Sequence, residues 1–170
     1  MVRLFVLRHA ETSWALPGMK DFDRGLDERG SGDLPRIAEN LRRRDYLPAS
    51  VICSPAVRTR MTLHGVMAAY QRPPRIDYVE SLYSGSPEDY WQAIQSVEGP
   101  GDVMIVGHNP MCEIVAGEAA PRGEAAALDR LRRKFPTGAL AVIDFPAERW
   151  ADVRPGKGRL LDFVIPADLK

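Results

Sequence analysis

Cysteine is scarce: only Cys53 and Cys112 occur, and they show no paired spacing. That argues against a disulfide framework or a zinc ribbon, and both thiols read as buried apolar fillers rather than nucleophiles. Neither sign of charge is in excess, because Lys plus Arg and Asp plus Glu both total 23. Such a balance argues against a chain built to coat nucleic acid or an anionic membrane, although it leaves room for a local basic pocket. No apolar run approaches the length of a membrane span. The stretch Val2–Leu7 is broken by Arg3, runs into Arg8-His9 and lacks a small-residue cleavage site, which is not the pattern of a signal peptide. The expected location is the cytoplasm. Repeats, low-complexity segments and linkers are also lacking. At 170 residues and 45% hydrophobic, the chain is expected to form a single domain over residues 1–170.

What is present is an alternation of short apolar segments and amphipathic ones. Val2–Leu7, Ser50–Cys53, Ile76–Val79 and Val103–Val106 read as buried strands. Between the first two, a helix ends in Ile37-Ala38-Glu39-Asn40-Leu41. Its start is obscured by Gly30, Gly32 and Pro35, with Asp27 or Asp33 as candidate caps. A second helix is expected from Ser54 as cap and Pro55 as first residue, a third from Ser86-Pro87, and a fourth from Asn109-Pro110. Strands separated by helices of this length favour an α/β fold with a mostly parallel sheet. The last third changes character: Leu140–Phe145, Arg149–Val153 and Leu160–Ile165 read as strands, with Pro155-Gly156-Lys157-Gly158 as a turn.

Chemistry gathers at the strand ends. The first strand runs into Arg8-His9, the second is followed by Ser54 through Arg58, the third runs into Glu80, and the fourth into Gly107-His108-Asn109. Carboxyl ends of parallel strands share one rim, where ligands bind. Two arginines can present planar forks to the equatorial oxygens of a phosphoryl group. A neutral imidazole is a competent nucleophile toward phosphorus when its other nitrogen is held by a hydrogen bond. His9 fits the nucleophile and His108 a second donor to the transferring oxygens. Arginine and histidine already supply the charge, so neither metal nor cofactor is expected.

Each residue also has an ordinary reading. A lone Arg-His after a strand is more often structural, and it is the combination with Arg58 and His108 that points to a site. Arg58 in a first helical turn opposes the helix dipole, which suggests a compensating anion. Glu80 is a candidate general acid, needing a raised pKa, or a plain surface carboxylate. His64 reads as a surface residue, and the Arg42–Arg44 and Arg130–Lys134 clusters as solvated helix faces. Trp14 to Arg24 is a long loop that is either a substrate lid, adding charge through Lys20 and Arg24, or a simple connection.

The segment Leu7-Arg8-His9-Ala10-Glu11-Thr12 resembles the RHG motif of the histidine phosphatase superfamily. Ser54 through Thr62 is similar to its second motif, and Gly107-His108-Asn109-Pro110 to its third. Size, spacing, Phe135 through Leu140 and Phe163-Val164-Ile165-Pro166 are similar to the SixA-like branch, known for action on phosphohistidine in proteins. Ala10 stands in place of the commoner glycine, and Met61 where many members carry glutamine. The resemblance implies a phosphoglycerate-mutase-like, three-layer α/β/α fold. It implies His9 as the phosphorylated nucleophile, with Arg8, Arg58, His108 and Asn109 around the phosphate. It also implies a phosphorylated protein or a small phosphoester as substrate, and a monomer is expected. Long insertions over the pocket are lacking, so mutase activity is not expected. The competing readings are a broad phosphomonoesterase for small metabolites, a non-catalytic phosphate-binding module, and a metallohydrolase. The last lacks ligand pairs at helical or hairpin spacing.

Overall fold

A computed structural model describes residues 1–169. Its strands are β1 (Val2–Arg8), β2 (Ser50–Cys53), β3 (Arg75–Tyr78), β4 (Val103–Gly107), β5 (Arg122–Gly123), β6 (Leu140–Phe145) and β7 (Arg159–Val164). The helices are α1 (Glu28–Arg43), α2 (Val57–Val66), α3 (Ser81–Ser84), α4 (Pro87–Gln95), α5 (Met111–Ala119) and α6 (Ala125–Arg133). The strands form a single sheet in the order β3-β2-β4-β1-β6-β7-β5. Only β6 runs against the rest, pairing antiparallel with both β1 and β7. The mostly parallel α/β arrangement read from the sequence is the one observed.

Side-chain alternation divides the sheet's two faces between two cores. Leu4, Val6, Val103, Ile105, Ala141 and Ile143 join residues of α4, α5 and α6 on one side. Phe5, Leu7, Met104, Val106, Leu140 and Val142 join residues of α1 and α2 on the other. Covering both faces is what makes these strands read as near-continuous apolar runs.

Several boundaries differ from the sequence reading. Arg149–Val153 is not a strand: Trp150–Asp152 forms a 3-10 turn. There the Trp150 ring is buried and its indole N–H donates to the Gly101 carbonyl at 3.0 Å, which a period of two cannot express. The last third also contains α6, whose final turn carries the Arg130–Lys134 cluster read from sequence as a solvated helix face. Helix α1 starts at Glu28, with the Asp27 carboxylate accepting from the Gly30 N–H at 2.7 Å. Gly30, which weakens a helix on propensity alone, is required by packing: a Cβ there would sit 2.1 Å from the Glu11 carbonyl oxygen. Helix α2 begins at Val57, later than Ser54-Pro55 suggested, and α5 begins at Met111, after Asn109-Pro110. Ser54 is thereby left free for another contact.

Candidate active site

Adjacent strands β1 and β4 pair in parallel with Arg8 opposite Gly107, so the next residues, His9 and His108, leave the sheet side by side. From this point α1 follows β1 on one face and α5 follows β4 on the other, which is the switch point where open α/β sheets bind ligands. The two imidazole centroids are 5.4 Å apart. His9 is 7% exposed, His108 7% and Arg58 8%, so the group is largely removed from water.

His9 is held firmly. Its backbone N–H donates to the Gly107 carbonyl, and its own carbonyl accepts from the Gly138 N–H at 2.9 Å. Gly138 makes that approach with φ of 75°, a left-handed conformation that favours glycine. The His9 ring places Nδ1 2.8 Å from the Ala10 carbonyl oxygen. A carbonyl only accepts, so Nδ1 carries the proton and Nε2 keeps its lone pair. Burial pushes the His9 pKa down to about 4, helped by Arg58, Arg8 and Arg24 and opposed by the Ala10 bond. At neutral pH this imidazole is uncharged.

His108 is fixed from two sides. Its backbone N–H donates to the Tyr90 hydroxyl at 3.1 Å, and its Nε2 lies 2.8 Å from Ser54 Oγ. Burial, followed by repulsion from Arg58 and His9, pushes its pKa down to about 3. Its Nδ1 is buried without a partner, as is Nε of Arg8. The Tyr83 ring meets the His108 ring edge-on at 5.7 Å and lies 6.0 Å beneath the Arg58 guanidinium.

Arg8 donates from Nη1 to the Phe135 carbonyl at 2.9 Å, and the Asn109 amide nitrogen donates to the same oxygen at 3.1 Å. The Asn109 carbonyl oxygen accepts from the Glu113 N–H in α5, so its carboxamide is tied at both ends. Arg58 points to the loop Trp14–Arg24. One guanidinium nitrogen donates to the Asp21 backbone carbonyl at 2.9 Å and the other to its carboxylate at 3.1 Å. Tyr83 and Arg24 also donate to that carboxylate. Burial alone would raise the Asp21 pKa, but the three hydrogen bonds bring it down to about 2. The anion that the position of Arg58 seemed to require is thus supplied from within the chain.

A profile of the histidine phosphatase superfamily (branch 1) matches residues 4–79. The SixA structure of Agrobacterium tumefaciens, a proposed phosphohistidine phosphatase, is 34% identical, with 97% of this chain and 98% of that one covered at a TM-score of 0.82. The chain belongs to the histidine phosphatase superfamily. Its likeness is to the SixA branch: the SixA structure of Nakamurella multipartitia is 27% identical over 97% of this chain and 96% of that one, with a TM-score of 0.81. An uncharacterized protein of Mycobacterium tuberculosis is 34% identical over 165 residues, 94% of this chain and 99% of that one.

Against that family pattern, four of the residues singled out from sequence converge: Arg8, His9, Arg58 and His108. Glu80 makes no hydrogen bond to any of them. It is exposed, directly precedes α3, and neither it nor any other carboxylate among the described residues hydrogen-bonds to either histidine. Cys53 and Cys112 are fully buried with pKa values pushed up to about 12 by burial, so both remain thiols. His64 is exposed on α2. Met61, at the position often held by glutamine, sits with its sulfur 3.2 Å from where a Gly25 side chain would begin, closing the base of the Trp14–Arg24 loop by apolar contact. Sequence reasoning missed Asp21, Tyr83 and Tyr90, which lie in a loop or in helices without a motif of their own. Only the unpaired charge of Arg58 hinted that an acid should face it. Among the described residues, no three His, Cys, Asp or Glu side chains converge as metal ligands would, and no helix is long and apolar enough to cross a membrane.

Proposed function

We propose that this protein is a metal-independent phosphatase, a single catalytic unit spanning the chain, that carries the phosphoryl group on His9. Nε2 of His9 attacks phosphorus, the bond from phosphorus to the leaving group breaks, and the leaving group departs with a proton. Water then attacks the phosphohistidine, releasing inorganic phosphate and the neutral imidazole. Arg8, Arg58 and His108 hold the transferring oxygens; preorganised donors of this kind are typically worth ~3–4 kcal/mol each in the transition state. Asn109 holds the cradle through the carbonyl it shares with Arg8. The observation that carries the reading is the Ala10 bond to His9 Nδ1, which leaves Nε2 with a lone pair on a ring under the positive charges of Arg58 and Arg8.

Phosphohistidine in a protein is the substrate the site favours. Its leaving imidazole is readily protonated before departure, so it needs no strong general acid, and among the described residues no carboxylate hydrogen-bonds to His9 or His108. Trp14 and Leu16 stand exposed on the loop whose other end latches Arg58, an apolar contact useful to a protein surface and not to a small phosphoester. Intact-mass trapping tests both steps. A phosphorylated enzyme should form from a phosphohistidine protein and be lost in His9→Ala. Equal trapping from small phosphoesters would favour a broad phosphomonoesterase, and no trapping or turnover with any substrate would leave a phosphate-binding module.

A further inference from the structure

The ring of His108 has two nitrogens and only one visible partner. Nε2 faces Ser54 Oγ at 2.8 Å, while Nδ1 is buried with none. Ser54 itself is fully buried, and its Oγ already accepts the Ala56 N–H at 3.3 Å. A hydroxyl has one proton to place. If Nε2 carried a proton and donated to Oγ, that oxygen would accept twice and its own hydrogen would be buried without an acceptor. If Oγ donates to Nε2, every group at Ser54 is satisfied, and the ring proton must sit on Nδ1. Either tautomer leaves one buried hydrogen without a partner, on Oγ or on Nδ1, but the first also strands the Nδ1 lone pair, so the second leaves fewer groups unmet.

We infer that Ser54 is a positioning residue that locks His108 in its Nδ1–H tautomer, so that a neutral imidazole presents a donor rather than a lone pair to the phosphoryl oxygens. The opposite tautomer would point a lone pair at an anion. Ser54 achieves this because α2 starts late: held at the end of β2 by its N–H to the Val106 carbonyl, it caps the Ala56 N–H and reaches across to the neighbouring strand's histidine. His9 is locked in the same tautomer by a backbone carbonyl, but with the opposite use: there the bare Nε2 is the reacting atom. Two neutral histidines in one tautomer thus supply one nucleophile and one donor. The inference rests on the phosphatase reading for its purpose but not for its chemistry.

Long-range proton–nitrogen NMR correlation on the full-length protein, with imidazole nitrogens labelled, reads the tautomer directly. The wild type should show His108 protonated at Nδ1 and bare at Nε2, in the free protein and with orthovanadate bound. Protonation at Nε2 in both states would overturn the inference whatever the activity. Ser54→Ala should shift His108 toward Nε2–H and lower kcat about tenfold, the effect of one lost hydrogen bond. KM should change less. Ser54→Thr, which keeps the hydroxyl, should restore both the tautomer and the rate. A Ser54→Ala protein with the wild-type tautomer and rate would also overturn it. A wild-type protein with the Nδ1–H tautomer but no phosphatase activity would sink the functional reading and leave the tautomer lock standing.

Discussion

Acid should unfold this protein earlier than its carboxylates require, because two imidazoles are folded in uncharged. Burial holds His9 near pKa 4 and His108 near 3, against an ordinary value of 6.5. Once pH falls below 6.5 the unfolded chain takes up protons at these positions that the native state refuses, so stability falls with pH. The loss begins at the unfolded value and ends only as pH passes the folded ones. Between pH 7 and 5 the difference amounts to about 2 kcal/mol for each ring, or about 4 kcal/mol for both. Water entry and local relaxation reduce that to an expected loss of about 2 kcal/mol, a sizeable share of the 5–15 kcal/mol typical of a domain. Asp21 works in a different window, since its depressed pKa costs stability only between its usual value near 4 and about 2. Urea unfolding at pH 7, 6 and 5 is the assay, and with m near 2 kcal/mol per molar the midpoint should drop by about 1 M. The control is the double variant His9→Asn, His108→Asn, which retains His64 and every carboxylate. Its midpoint should fall much less. If wild type and control lose stability in parallel, the two rings are not folded in neutral, and the argument for an uncharged nucleophile fails with them.

Further expectations concern single side chains. Glu80→Gln should leave turnover of a phosphohistidine protein within about twofold and slow alkyl phosphoesters more, because only an alkoxide needs an acid; equal losses on steady-state assay of both substrates would contradict this. Gly107→Ala should cost about 1–3 kcal/mol in urea unfolding, since its Cβ would lie 2.5 Å from the Tyr90 hydroxyl. That hydroxyl has little freedom to yield, being bonded to the Leu82 carbonyl and the His108 N–H. An unchanged midpoint would show that Tyr90 does not fix the end of β4.

The rim of the sheet was readable because β-strands place their final residues by topology, so a parallel arrangement alone brings Arg8-His9 and His108 together. Arg58 was readable as an anomaly, a cation in the first turn of a helix. The assignments that failed were those decided by contacts remote in sequence. Ser54 has the chemistry of an N-cap, and only the position of β4 beside β2 shows that its hydroxyl, besides accepting the Ala56 N–H, serves His108. Gly30 looks like a helix breaker until Glu11 is seen against it. Arg149–Val153 alternates like a strand, yet burying Trp150 turns the chain into a 3-10 turn. Strand logic also put Glu80 at this rim; it follows β3, the edge strand two places from β4, and its role as an acid is what the Glu80→Gln comparison decides.

The Asp21 latch was the least readable feature, since thirty-six residues of chain separate it from the arginine it meets. Its chemistry sets up a contest. Arg58 spends two donors on Asp21, one to the backbone carbonyl and one to the carboxylate, while Arg24 spends another on the same group. A phosphoryl dianion entering the cradle therefore finds both guanidiniums partly neutralised by a carboxylate that stays ionised at any working pH. Asp21→Asn removes that charge and keeps the backbone carbonyl that orients Arg58. Inorganic phosphate should then inhibit roughly fivefold more tightly, about 1 kcal/mol, with the gain shrinking in high salt as exposed charge is screened. Weaker inhibition would mean that the carboxylate's chief effect is to aim Arg58 rather than to compete for it. The two outcomes differ in sign, so one phosphate titration in each protein decides between a latch that competes with the substrate and one that prepares the site for it.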